Sequence, residues 1–324
     1  MVTRRQAVVV IGAFALPRIA LGQQRTKVFR VGFLGAERAS EGTRRMLGVE
    51  EGLRQLGYVE DKNIVFEKRW AQGKYDQLPT LATELVARKV QVIVVFGTKA
   101  TLGAKKATST VPIVMASAGD IVALGVVQNL ARPGGNVTGS INVGRELGAK
   151  RLSLLKEAVP KLEQVAYLVN PANPAFTPNL EAIRQAAPAL KLAVQPIEIG
   201  DPNEIGAAVA RAARSRAGLL LQDETMFSAY AKSIAEHAIA RRVPSAGGSE
   251  FPESGGLIGY GPDYQMLDRR AAYFVDRILK GAKPADLPVE QPTKFDLRVN
   301  LRTAMAIGVA IPQSIRAVAD KAIQ

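Results

Sequence analysis

VQVIVVFG, residues 90–97, is an almost unbroken apolar run rich in β-branched side chains. A strand that is apolar on both faces lies inside a parallel sheet with helices above and below it. Parallel neighbours need a crossover helix on each side, and the flanking sequence supplies them. YDQLPTLATELVARK (75–89) has helical spacing before the run, and 99–107 has it afterwards, followed by a second buried strand, VPIVMAS (111–117). Upstream, VFRVGFLG (28–35) reads as a strand, EGTRRMLGVEEGLRQLG (41–57) as a helix stopped by Gly57, and NIVFEKRWA (63–71) as another strand. Downstream, a helix is expected over 120–130, then a sharp turn at 131–136 and the strand NVTGSIN (136–142).

The alternation then restarts. Helices at 146–160, 174–189, 203–215 and 228–242 separate strands at 164–170, 191–199, 217–223 and 243–248, and GGLIGYG (255–261) is the last strand of this set. Two such series imply an α/β chain of two doubly wound parallel-sheet lobes joined by crossover strands. After Gly261 come a helix (264–280), the Pro-rich KPADLPVEQP, the strand FDLRVN (295–300) and the helix LRTAMAIG (301–308). This tail is expected to return to the first lobe and cross again. The expected first lobe is 26–141 plus about 262–285, and the second is 142–261 plus about 286–324.

Residues 1–22, MVTRRQAVVVIGAFALPRIALG, have the layout of an export signal. Arg4-Arg5 precede an uncharged apolar stretch that falls short of the ~20 residues of a membrane span. Ala20-Leu21-Gly22 places small residues where a signal peptidase cuts, so a periplasmic protein cleaved near Gly22 is expected, by the Sec or the twin-arginine route. The chain has no cysteine and a single histidine, His237, which removes disulfides, thiolate sites and multi-histidine metal centres. The net charge of +14 comes from dispersed lysines and arginines without aromatic interleaving, so no nucleic-acid partner is expected.

Open α/β sheets bind ligands beyond the carboxyl ends of their strands. The residues at those ends are Gly35; Gly97, Thr98 and Lys99; Ser117, Ala118 and Asp120; Asn170 and Asn173; Asp223 and Phe227; Glu250 and Phe251; and Tyr260. Free N–H groups at helix starts favour an anion, with Thr98 and Ser117 adding hydroxyls. Phe227, Phe251 and Tyr260 offer flat apolar faces, and Asp120, Asp223 and Glu250 could accept from an ammonium. Each also has a structural use, as a cap for Thr98, Asn173 and Asp120, and as core for the aromatics. No G-x-S-x-G elbow, phosphate-binding loop or dinucleotide fingerprint occurs, so no catalytic residue, cofactor or metal is expected. An exported α/β enzyme using the same cleft and a ligand-sensing module are the competing classes.

ALGVVQNLARPGGNVTG (123–139), KRLSLLKEAVPKLEQVAYLVNPANP (150–174) and the tail 255–308 closely resemble the ABC-transporter substrate-binding proteins, the family that includes tryptophan- and tyrosine-type solute-binding proteins. The likeness runs from about Lys27 to Ile323. It implies a type I periplasmic-binding fold with three crossings between lobes. It also implies a monomeric receptor that passes a small molecule, amino-acid-like or aromatic and anionic, to an inner-membrane ABC permease. Gly97-Thr98 match the family's G-T loop, Asp120 its D-P-V position, Asn170 to Pro174 its N-P-A-N-P, and Asp223 with Phe227-Ser228 its P-D-x-F-F-F-S region. Lys99, Ile121 and Gly247-Gly248-Ser249 depart from the pattern. Lys99 points to an anionic group on the ligand, and the loss of bulk at 247–249 points to a wider cleft.

Overall fold

The computed structural model describes residues 28–119 and 121–324. The expected leader and Asp120 lie outside the described residues. The first series runs β1 (Phe29–Gly35), α1 (Ala39–Gln55), β2 (Ile64–Trp70), α2 (Leu78–Ala87), β3 (Val92–Phe96), α3 (Thr98–Ala107), β4 (Ile113–Ser117) and β5 (Val137–Gly139). The second runs α4 (Gly144–Ala158), β6 (Gln164–Val169), α5 (Phe176–Ala186), β7 (Ala193–Glu198), α6 (Ile205–Arg214), β8 (Gly218–Leu221), α7 (Thr225–Ala229), α8 (Ala231–Ala240), β9 (Ser245–Gly247) and β10 (Ile258–Pro262). The tail adds α9 (Tyr264–Leu279), β11 (Phe295–Asn300), α10 (Leu301–Ile307), α11 (Gln313–Val318) and β12 (Lys321–Ile323).

Two sheets result, ordered β2-β1-β3-β4-β5 and β12-β11-β10-β9-β8-β6-β7. Val92 to Phe96 of β3 are all fully buried between two apolar layers. Each sheet is sandwiched by helices, which accounts for the continuous apolar strands in the sequence. The fold is therefore α/β with two doubly wound lobes. One pair departs from the parallel rule, because β11 runs antiparallel to β10. The chain reaches β11 from the other lobe rather than through a crossover helix, so nothing forces it parallel.

The expected helix over 120–130 does not form, and the described residues from Ile121 onward make turns instead. Gly125 has φ +67°, and Val126 N–H bonds to the carbonyl of Ile121, one residue beyond helical reach. Backbone in the left-handed region ends an α-helix. After β10 the chain returns to the first lobe, where α9 packs on α1, β3 and β4. Gly48 and Gly52 make that packing close, since a Cβ at Gly52 would lie 2.7 Å from Ala272 Cβ and 2.8 Å from the Arg269 carbonyl. Val289 and Glu290 N–H groups bond to the carbonyls of Leu130 and Gly139, so the chain stays beside the first sheet through Glu290 before crossing to β11.

Candidate functional site

Strand order reverses between β1 and β3 in the first sheet and between β6 and β8 in the second. Loops on either side of such a reversal diverge and leave a crevice at the strand ends. The two crevices meet in a cavity of about 1020 Å³, counted out to its mouth. Gly97, Thr98, Lys99, Ser117 and Ala118 line it from the first lobe, and Asn173, Asp223 and Glu250 from the second. These eight sequence-expected residues are brought together.

The others are placed elsewhere. Phe227 and Phe251 border a smaller adjoining cavity of about 760 Å³, and their rings are buried in the second lobe's core. Phe251 also occupies the space beside Gly247, where a Cβ would lie 2.9 Å from the ring, so the small residue makes room for Phe251 rather than for a wider cleft. Tyr260 stays out of the main cavity because its ring stacks on Phe295 at 6.0 Å. Asn170 is buried behind the wall, where its Oδ1 accepts from Ala172 N–H at 2.9 Å. Gly35 does not line the cavity either; a Cβ there would lie 2.0 Å from Glu37 Oε2, so the glycine leaves the space that the Glu37 carboxyl fills.

The first-lobe wall is built on helices as well as loops. Arg45 of α1 donates through Nε and Nη2 to the Asp268 carboxylate of α9 at 3.1 and 2.7 Å, and Nη2 also reaches Ser117 Oγ at 3.0 Å. Its guanidinium lies 4.7 Å over the Phe96 ring. Burial pushes the Asp268 carboxyl up, opposed by Arg45. Thr98 is held in the loop, since its hydroxyl accepts from Gly119 N–H at 2.9 Å and donates to the Gly119 carbonyl at 3.3 Å. Burial lowers the Lys99 ammonium, and nearby Glu224 partly restores it.

In the second lobe, Arg151 of α4 is 1% exposed and lies 3.0 Å from Asp223 Oδ2. Its Nε donates to the Tyr260 carbonyl at 2.6 Å. Glu224 caps α7 by accepting from Met226 N–H at 2.7 Å and also accepts from the Tyr75 hydroxyl. Burial pushes the Glu224 carboxyl up despite these donors. Tyr75 belongs to the first lobe, so that bond spans the cleft. Arg38 donates to the Tyr230 hydroxyl and sits 4.5 Å over its ring, and Arg44 lies 3.6 Å from Glu250. The two lobes are thus in contact around the cavity, an arrangement that encloses a small solute.

The family model of the ABC transporter substrate binding proteins matches residues 41–323, most of the chain. The chain belongs to that family. A tyrosine-binding protein of Clostridioides difficile strain R20291 is 24% identical over 264 residues, covering 80% of this chain and 75% of the relative. A conserved domain protein of Vibrio cholerae superposes with a TM-score of 0.85 at 24% identity, covering 91% of this chain and all of the other. An ABC domain from Streptococcus pneumoniae in complex with L-Trp gives 0.84 at 23%, covering 92% of this chain and all of that one. As a substrate-binding protein, the chain has a small-molecule receptor's fold, with its cavity at both strand-order reversals.

Several lining residues of this binding protein escape a search of strand ends. Arg44, Arg45, Gln265 and Asp268 lie inside α1 and α9 and give no loop signal. Glu37 stands two residues past Gly35, in the first strand-to-helix loop, and Glu224 directly follows Asp223. A reading carried two residues further along each loop reaches both. Tyr264 is the aromatic side chain that lines the main cavity, where Tyr260 was expected.

Proposed function

We propose that this protein is an exported, non-enzymatic receptor that encloses one small charged organic solute between its lobes and delivers it to an inner-membrane ABC permease. The observation that carries the reading is the cavity of about 1020 Å³ at both strand-order reversals, bounded by contacts from one lobe to the other. A cleft shared by two lobes, lined by a few convergent polar groups, suits a small organic molecule. Its walls carry both signs of charge, which suits a zwitterion or an organic ion. The tyrosine-binding relative and the L-Trp-bound neighbour support solutes of that class. The buried ionisable groups of the walls are largely engaged in ion pairs and caps, which holds a ligand's shape without activating a nucleophile. Among the described residues, no helix is long and apolar enough to cross a membrane.

A thermal-shift screen of the purified protein against amino acids, aromatic acids and small carboxylates tests the reading. At least one compound raises the melting temperature by mass action, and mass spectrometry recovers it unmodified after denaturation. A recovered product of different mass would replace the receptor with an enzyme. The leader is proposed to be removed after Gly22, so the exported protein begins near Gln23. N-terminal sequencing of the periplasmic fraction checks this, and an intact Met1 there overturns it.

A further inference from the structure

Among the described residues, Glu37 is the acid of the cavity with both carboxyl oxygens unsatisfied. Its side chain is 4% exposed, and Glu37 is one of the residues that line the cavity. Neither carboxyl oxygen has a hydrogen-bond partner among the described residues. Arg45 Nη1 lies 3.7 Å from Oε1, near enough for attraction but too far for a hydrogen bond, and that guanidinium is already committed to Asp268 and Ser117. Among the other acids of the wall, two have hydrogen-bond donors of their own and two have an ion-pair partner. Asp268 has Arg45, and Glu224 has Tyr75 and the α7 backbone; Asp223 is ion-paired with Arg151 at 3.0 Å, with Oδ2 lacking a hydrogen bond, and the more exposed Glu250 lies 3.6 Å from Arg44. A buried carboxylate left without a donor is costly.

We propose that Glu37 accepts a protonated amine of the bound solute, so that the cleft selects compounds bearing an ammonium group. The proposal rests on the receptor reading and narrows its ligand class. An ammonium offers three donors and one positive charge, which matches two free carboxylate oxygens beside an already neutralised Arg45–Asp268 pair. The groups facing Glu37 are Arg45 from α1, Asp268 from α9 and Glu224 from the second lobe, with its own backbone N–H close by but outside hydrogen-bond geometry. Burial pushes the empty-site carboxyl up to about 7, against Arg45, which lowers it. Binding an ammonium holds Glu37 ionised, so the proton it carries in acid must leave. Amine affinity is therefore weaker below neutrality, by roughly tenfold per pH unit for one linked proton.

Three compounds on one skeleton test this by calorimetry: L-phenylalanine, phenethylamine without the carboxylate, and 3-phenylpropanoate without the amine. They are run beside a thermal-shift panel of primary amines, carboxylates and neutral sugars. Amine-bearing compounds should bind the wild type more tightly at pH 8 than at pH 6. Glu37→Gln should weaken them about 10- to 100-fold and abolish that pH dependence, and should not weaken amine-free binders. Should the glutamine variant not fold, the wild-type pH profile decides. A pH-independent amine affinity, or binding confined to amine-free compounds, overturns the role of Glu37 and leaves the receptor standing. No binding by any compound removes the receptor reading and this inference with it.

Discussion

Arg151 carries a full charge into the second lobe's core, and its position shows what that charge does. The guanidinium ties the end of β10, through the Tyr260 carbonyl, to Asp223 at the cavity wall. Arg151→Met should destabilise the protein by about 3–5 kcal/mol in urea unfolding, because it strands a carboxylate against the core. Adding Asp223→Asn should restore most of the loss; a double variant no better than the single would show that Arg151 acts through packing alone. Glu37 makes a second residue-scale prediction. Its folded-state carboxyl is raised to about 7 from an ordinary 4.5. The folded state therefore binds the proton more tightly, and the resulting stability is complete below pH 4.5 and lost as pH rises through 7. Glu37→Gln cannot ionise, so ligand-free variant and wild type should melt together at low pH. By pH 8 the variant should melt higher, by about 2–4 °C for each kcal/mol of relief. A constant gap across that range would place Glu37 in water rather than in a closed cavity. Lys99, Asp223 and Glu250 were legible in the sequence because each follows a clear strand. Arg45 and Asp268 were not, since nothing in a helical repeat marks which polar residue faces another lobe.

At the scale of elements, strand-to-helix loops were readable wherever a β-branched run ended at Gly or Asn. The β3–α3 loop shows why: Gly97 takes φ +85°, and the helix starts directly after it. The stretch after β4 was misread as a helix because its apolar spacing ignores the left-handed backbone at Gly125. The antiparallel β11 was likewise hidden, since its direction depends on a return from the other lobe that no local pattern records. Thr98 links two of these loops. Its hydroxyl both accepts from and donates to Gly119, which joins the β3 and β4 ends into one floor. Thr98→Val deletes both bonds and should cost about 1–3 kcal/mol of stability, whereas Thr98→Ser should keep them. Ligand affinity should fall with valine and hold with serine; equal stability for both would mean that the floor is fixed by the backbone alone.

For the whole molecule, three connections join the lobes: after β5, after β10 and before β11. Arg270 braces the last of them by donating to Glu290 at 2.7 Å, where residue 290 bridges to Ser140 of the first connection. Lobes tied this way close by hinge bending, and the contacts from lobe to lobe set how far closure is favoured. The Tyr75–Glu224 bond is the most telling of these, because Glu224 is 8% exposed when the cleft is shut. Removing the hydroxyl in Tyr75→Phe leaves a buried carboxylate oxygen short of a donor only in the closed arrangement, since opening admits water. The whole penalty therefore falls on closure, and a bond to a charged group is worth ~1.5–3 kcal/mol. Tyr75→Phe should fold normally and show a larger radius of gyration in ligand-free scattering. It should bind the solute found by the screen about tenfold or more weakly, because apparent affinity scales with the population able to close. Saturating solute should return the variant to the wild-type closed radius. An unchanged radius and affinity would instead mean that the cleft is held shut by its backbone connections, with Tyr75 only filling space.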